Sequence, residues 1–179
     1  MRNTFCITHF FMSITIRKIE TADLGTVLGL MRDFARYENL EQYLEVTEAR
    51  MHKAMFGDGA FVDGLIAFDG EAAAGYAIFY PNFLTFRGQL GYFLEDLYVS
   101  EHTRGKGVGE RMLQSIAQIA SERGFERIDF LVLDWNDTAI DFYEKLGAVR
   151  AEAESHFKFT DAAFRALADG KGDSGGRVS

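Results

Sequence analysis

Apolar positions along this chain alternate between two spacings, and each change of spacing marks a new element. Ile14, Ile16 and Ile19 stand among polar neighbours and predict a first strand over residues 13–19. Leu24, Val27, Leu28, Met31, Phe34 and Ala35 recur at three and four residues, the stripe of an amphipathic helix that Thr21 is placed to cap. A second helix is expected over residues 47–55, ahead of Gly57, Asp58 and Gly59. Strands over 60–68 and 72–80 flank Asp69 and Gly70, a strong hairpin signal, and Pro81 is expected to end the second of them. After a loop at 82–89, a third strand over 90–99 completes a meander. Helical spacing returns at Val108, Met112, Ile116, Ile119 and Ala120, within a helix over 107–123. A short β-rich run covers 127–133, and a helix over 138–146 stops at Gly147, a left-handed cap. Residues 149–151 and 155–159 suggest two further strands, and 161–168 a last short helix.

The order is strand, two helices, a three-strand antiparallel meander, helix, strand, helix, strand. Antiparallel pairing first and a strand–helix–strand crossover afterwards predict an α/β (α+β) fold with a mixed, twisted sheet flanked by helices. One domain is expected over residues 13–168. Residues 1–12 are apolar and precede a second methionine, Met12; they read as an upstream start or non-native extension. The glycine-rich segment 169–179 is expected to be a disordered tail.

Composition narrows the function. Of 179 residues, 27 are acidic and 19 basic, a net charge of −8, which disfavours nucleic acid and favours cationic partners. Cys6 is the one cysteine, so an internal disulfide and a cysteine-based metal cluster are excluded. His9, His52, His102 and His156 show no metal-ligand spacing, and no metal is expected. No apolar run reaches membrane-spanning length, so no membrane partner and a cytoplasmic location are expected.

The densest chemical signal is Arg104-Gly105-Lys106-Gly107-Val108-Gly109, between a strand-like and a helix-like run. Glycines there let backbone N–H groups close on an anion, and the helix start adds its positive end. The spacing is neither that of a Walker loop nor that of a dinucleotide fingerprint, yet a phosphate-bearing ligand is expected. Glu95 and Asp96 interrupt an apolar strand. A charge there marks either a site or a satisfied core carboxylate, and adjacent strand residues face opposite ways unless a bulge re-aims one. Tyr143 shares a helical stripe with Ile140 and Leu146, Asn136 stands where it could cap that helix or bind a cofactor, and Tyr37, Glu38 and Glu41 close the first helix.

Residues 94–99, Arg104 to Gly109, Leu133-Asp134-Trp135-Asn136, residues 142–148 and residues 34–41 together resemble the diamine branch of the GNAT N-acetyltransferases, the spermidine/spermine and thialysine enzymes. The resemblance covers about residues 14–168. It implies the GNAT fold, in which the fourth and fifth strands splay around acetyl-CoA as cosubstrate. It implies that Arg104, Gly105, Lys106, Gly107, Val108 and Gly109 hold the pyrophosphate. Leu97, Tyr98 and Val99 would pair with the pantetheine arm, and Asn136 and Tyr143 would touch the cofactor. Glu95 takes the base-like position, better suited to anchoring a water chain than to direct deprotonation, and Tyr143 that of the acid for the thiolate. Tyr37, Glu38, Glu41, Glu95 and Asp96 would line the amine channel. The implied enzyme acetylates a small cationic amine by direct transfer in a ternary complex, and the branch is usually homodimeric. A protein N-terminus or lysine as acceptor, or a non-catalytic acyl-CoA-binding module, are the rival readings. The chain departs from the branch at Gln42, where an acidic residue is common, and in having no tryptophan after Gly147 and Ala148.

Overall fold

Strand β1 (Ile14–Lys18) pairs antiparallel with β2 (Asp63–Asp69), β2 with β3 (Ala72–Leu84), and β3 with β4 (Gln89–Val99). Strand β5 (Arg127–Phe130) joins β4 in parallel, so the sheet runs β1-β2-β3-β4-β5 and is mixed, as the element order predicts. These positions come from a computed structural model that describes residues 14–151 and 156–170. The expectations for residues 1–13, the break at 152–155 and the segment 171–179 lie outside the described residues. The described residues up to Leu131 form one compact unit, and those from Val132 form another.

In the first unit each sheet face carries its own core. On one face, helices α1 (Leu24–Tyr37) and α2 (Glu48–Phe56) bury Val27, Leu28, Met31 and Met51 against Ile66, Tyr76, Ile78 and Tyr98. On the other, helix α3 (Val108–Glu122) buries Val108, Met112, Ile116 and Ala120 against Leu65, Ala77, Phe79, Tyr92 and Leu94. Their four-residue spacing is the stripe read from the sequence. The second unit holds α4 (Asp137–Lys145) and α5 (Asp161–Ala168), and α4 ends at Gly147 with φ of 92°.

Several boundaries differ from those the pattern predicts. Strand β3 runs through Pro81 to Leu84. Its pairing with β2 ends at Phe79, so among the described residues Pro81 lies where β3 is an edge, and its missing N–H faces no strand partner. Strand β2 starts at Asp63 rather than residue 60, because its β3 ladder begins there. Strand β5 stops at Phe130, although the apolar run continues to Leu133. No strand forms at residues 149–151, nor at 156–159 of the expected last strand.

Thr21 does not cap α1. It opens a 3₁₀ turn, Thr21–Asp23, and Asp23 does the anchoring. The Glu20 N–H donates to Asp23 Oδ2 at 2.8 Å, and Arg17 grips both carboxylate oxygens at 2.6 and 2.8 Å. This fork joins β1 to the start of α1. The Arg17 hydrogen bonds hold the buried Asp23 carboxyl below the usual range, against the opposing effect of burial. Its contribution is therefore complete above the unfolded carboxyl value of ~4 and is lost as pH falls through the lower folded value. Asp23→Asn should cost about 2 kcal/mol at pH 7, and urea denaturation should find the gap from wild type narrowed at pH 3.

Candidate active site

The site begins with one extra residue in β4. In the β3–β4 ladder Ile78 faces Asp96 and Phe79 faces Leu94, so Glu95 has no partner of its own. This is a β-bulge, and it reverses the inward alternation. Tyr92 and Leu94 pack on the α3 face, whereas Tyr98 packs on the α1–α2 face with Tyr76 and Ile78. Glu95 and Asp96, adjacent in sequence, consequently line one cavity of about 720 Å³ with Glu38, Glu45, Arg50, Tyr76 and the apolar flank of α1 and α2.

Both carboxylates at the bulge hold a phenol. Tyr76 Oη donates to Asp96 at 3.1 Å, and Tyr80 Oη donates to Glu95 at 3.0 Å. Tyr76 is fully buried, so its hydroxyl needs a partner inside the protein, and Asp96 supplies it. Burial pushes the Asp96 carboxyl up to about 6; the Tyr76 hydrogen bond opposes that rise and the Glu95 charge adds to it. Burial and the Asp96 charge also raise the Glu38 carboxyl. Burial, then Glu95, pushes the Tyr80 phenol up to about 12. Four carboxyls in one depression, Glu38, Glu45, Glu95 and Asp96, with Glu38 and Asp96 pushed up, form a receptor for positive charge.

The glycine segment adopts the shape the sequence suggests. Gly105 and Gly107 have φ of 76° and 75°, and open space lies where a Cβ would project. Gly107 is the N-cap of α3, whose first-turn N–H groups have no acceptor within the helix. The loop is braced from beneath: buried Thr103 Oγ1 donates to the carbonyls of Ala74 at 3.1 Å and Ser100 at 2.9 Å. Lys106 Nζ lies 2.8 Å from the buried Asp69 carboxylate, so one loop cation is tied to the β2–β3 hairpin. The Arg104 guanidinium lies 4.5 Å from the Tyr37 ring centre, and Arg104 Nε donates to the Val99 carbonyl at 3.1 Å. Beyond Leu94, where β5 pairing ends, the backbone of Glu95 to Val99 has no strand beside it on that side among the described residues. An open donor-rich loop next to an unpaired strand edge fits a long ligand with a phosphate and amide groups.

Not every expected residue meets in the cavity. Glu38, Glu95 and Asp96 do. Glu41 stands in a 3₁₀ turn, Glu41–Tyr43, with its carboxylate 3.3 Å from Arg36 Nε, and Tyr37 lies under Arg104 instead. Tyr43, Glu45 and Arg50 take places that sequence reasoning left empty. In the second unit, the Asn136 side chain accepts from the Ala139 N–H at 3.2 Å and caps α4. Tyr143 stands in the last turn of that helix beside the Phe142 ring, and burial pushes its phenol up to about 12.

Tyr76→Phe should keep the ring packing and remove the hydrogen bond that favours the charged Asp96. The Asp96 carboxyl should then titrate roughly 1 unit higher, checked by carbon-13 NMR of labelled aspartate across pH. A raised folded value means that protonated Asp96 stabilises the fold fully below ~4, an advantage lost as pH rises through about 6.

Comparison with known proteins agrees with this architecture. Residues 27–148 match the model of the acetyltransferase (GNAT) family. The bovine thialysine N-epsilon-acetyltransferase is 32% identical over 166 residues, 87% of this chain and 97% of that protein. The human spermidine/spermine N(1)-acetyltransferase-like protein 1 is 32% identical over 146 residues, 78% of this chain and 21% of that protein. A solved integron cassette protein from the mobile metagenome of V. cholerae shares the fold, with a TM-score of 0.73 at 23% identity over 88% of this chain and 98% of its own. With the mixed sheet, the glycine turn at the start of α3 and a family match across most of the chain all in agreement, the protein belongs to the acetyltransferase (GNAT) family.

Proposed function

We propose that this protein is an acetyl-CoA-dependent N-acetyltransferase of small cationic amines, a polyamine, a diamine or a thialysine-like molecule, acting by direct transfer in a ternary complex. The observation that carries the reading is the convergence of Glu38, Glu95 and Asp96 in one cavity. The relatives named for thialysine and for spermidine/spermine support the same class. The reading takes residues 13–168 as one domain and expects a cytoplasmic homodimer.

Acetyl-CoA, when bound, supplies the activated acetyl group. The residues for holding it are Arg104, Gly105, Lys106, Gly107, Val108 and Gly109 at its phosphates and the backbone of Leu97, Tyr98 and Val99 along its arm, with Asn136 and Tyr143 further on. Glu38 and Asp96 attract the ammonium group, with Tyr37 and Glu41 at the margin. An alkylammonium has a pKa of ~10 and an ordinary carboxylate ~4, so direct proton transfer would cost roughly 8 kcal/mol. Asp96 at about 6 closes part of that gap. Exposed Glu95, held by Tyr80, is better placed to anchor a water chain that passes the proton to solvent. The Tyr143 hydroxyl holds the proton that the departing thiol requires.

Steady-state assays reading free CoA over an amine panel test the class. Diamines should exceed monoamines of equal length in kcat/KM. Glu38→Gln should raise the diamine KM with a smaller change in kcat, the pattern of lost uniform binding. Equal rates for diamines and monoamines, or faster acetylation of peptide N-termini, would favour the protein-directed reading. CoA binding without turnover of any amine would favour the non-catalytic one.

The Tyr143 assignment has its own check. Tyr143→Phe should lower kcat roughly 10²–10⁴-fold, with acetyl-CoA affinity by calorimetry little changed.

A further inference from the structure

We propose that Arg50 reads a carboxylate on the amine substrate, so that the cavity selects a diamino acid over the diamine left when that carboxylate is removed. This rests on the amine-acetyltransferase reading above and narrows it. Among the described residues, the cavity is lined by four carboxylates, Glu38, Glu45, Glu95 and Asp96, and a single cation, Arg50. A receptor built only for polyamines gains nothing from a guanidinium in its wall, because each end of such a ligand is itself positive.

Arg50 is not there to neutralise the carboxylates at the bulge. It forms no ion pair with Glu38, Glu95 or Asp96 among the described residues, and Glu38 and Asp96 are pushed up rather than down. A guanidinium beside them would do the reverse. Arg50 belongs instead to Glu45: its Nη1 donates to the Glu45 carbonyl at 3.0 Å and lies 3.7 Å from Glu45 Oε2. Its backbone N–H donates to Thr47 Oγ1, which fixes it in the first turn of α2. Both contacts with Glu45 use Nη1, which leaves Nε and Nη2 for a planar carboxylate. Met31, Phe34, Leu44 and Met51 give the same cavity an apolar wall suited to a methylene chain. The resulting pattern has an acidic cluster at the bulge and an Arg50–Glu45 pair that forms no ion pair with it among the described residues. A molecule with a side-chain ammonium, a short methylene chain, an α-ammonium and an α-carboxylate matches that pattern in order.

The test compares L-lysine with its methyl ester and with cadaverine, and L-ornithine with its methyl ester and with putrescine, as acceptors for the wild type and for Arg50→Gln. The better of the two free amino acids should exceed its ester and its diamine in kcat/KM by at least about tenfold. Arg50→Gln should erase most of that preference. Wild-type rates for ester or diamine that equal or exceed the acid would overturn the proposal, as would an Arg50→Gln enzyme that keeps the preference. If Arg50→Gln does not fold, the acid-to-ester ratio of the wild type decides alone. Turnover of no amine at all would sink the acetyltransferase reading instead. Calorimetric binding of acid against ester would then decide the Arg50 assignment, equal affinities counting against it.

Discussion

A sheet strand must alternate its side chains, and everything at this site depends on one place where that alternation breaks. The unpaired Glu95 in β4 lets a single strand serve two cores, Tyr92 and Leu94 on one face and Tyr98 on the other. A strand without the extra residue would send Asp96 to the face that Leu94 occupies, among the α3 side chains. A carboxylate there would be stranded in an apolar core at a cost of several kcal/mol, or would drag the register with it. The bulge instead delivers two acids to one depression and gives each a tyrosine hydroxyl. Pairing of β4 with β5 stops at Leu94, directly before the bulge, so the break in register is also where the sheet opens.

Most of the fold was legible because it rests on local periodicity. The α3 stripe, the β2–β3 hairpin and the stop at Gly147 are each set by residues within a few positions of one another. What the pattern misjudged was decided by neighbours distant in sequence. Leu131, Val132 and Leu133 look more apolar than β5 itself, yet the parallel ladder ends at Leu94 and Phe130, directly before the bulge. Pro81 looks like a terminator and is tolerated because β2 has already ended. At the N-terminus of α1 the deciding contacts are nearer: a Glu20–Asp23 capping box in place of a Thr21 cap, with Arg17 gripping Asp23 from six residues away.

The candidate site was legible in part for the same reason. Charges inside an apolar strand mark out Glu95 and Asp96, but whether they share a face depends on a bulge that the sequence does not announce. Glu41 and Glu45 are equally acidic and close together. Only the path of the chain after α1 decides that Glu45 lines the cavity while Glu41 pairs with Arg36. Tyr76 offered a usable signal: a tyrosine flanked by alanine and glycine in a central strand must bury its hydroxyl and must find an acceptor on the next strand.

The proline inside β3 has a further effect. Beyond Phe79 the strand loses its β2 partner and exposes Phe83, while the hairpin that follows exposes Phe86. A bare strand edge with protruding aromatic rings is a template on which another chain can polymerise. Pro81 removes a donor from that edge, so an incoming strand meets a gap in the row of hydrogen bonds it would need. The residue that looked like a stop signal thus works as a guard against aggregation, and lets the strand stay long where a shorter one would have been the safer shape.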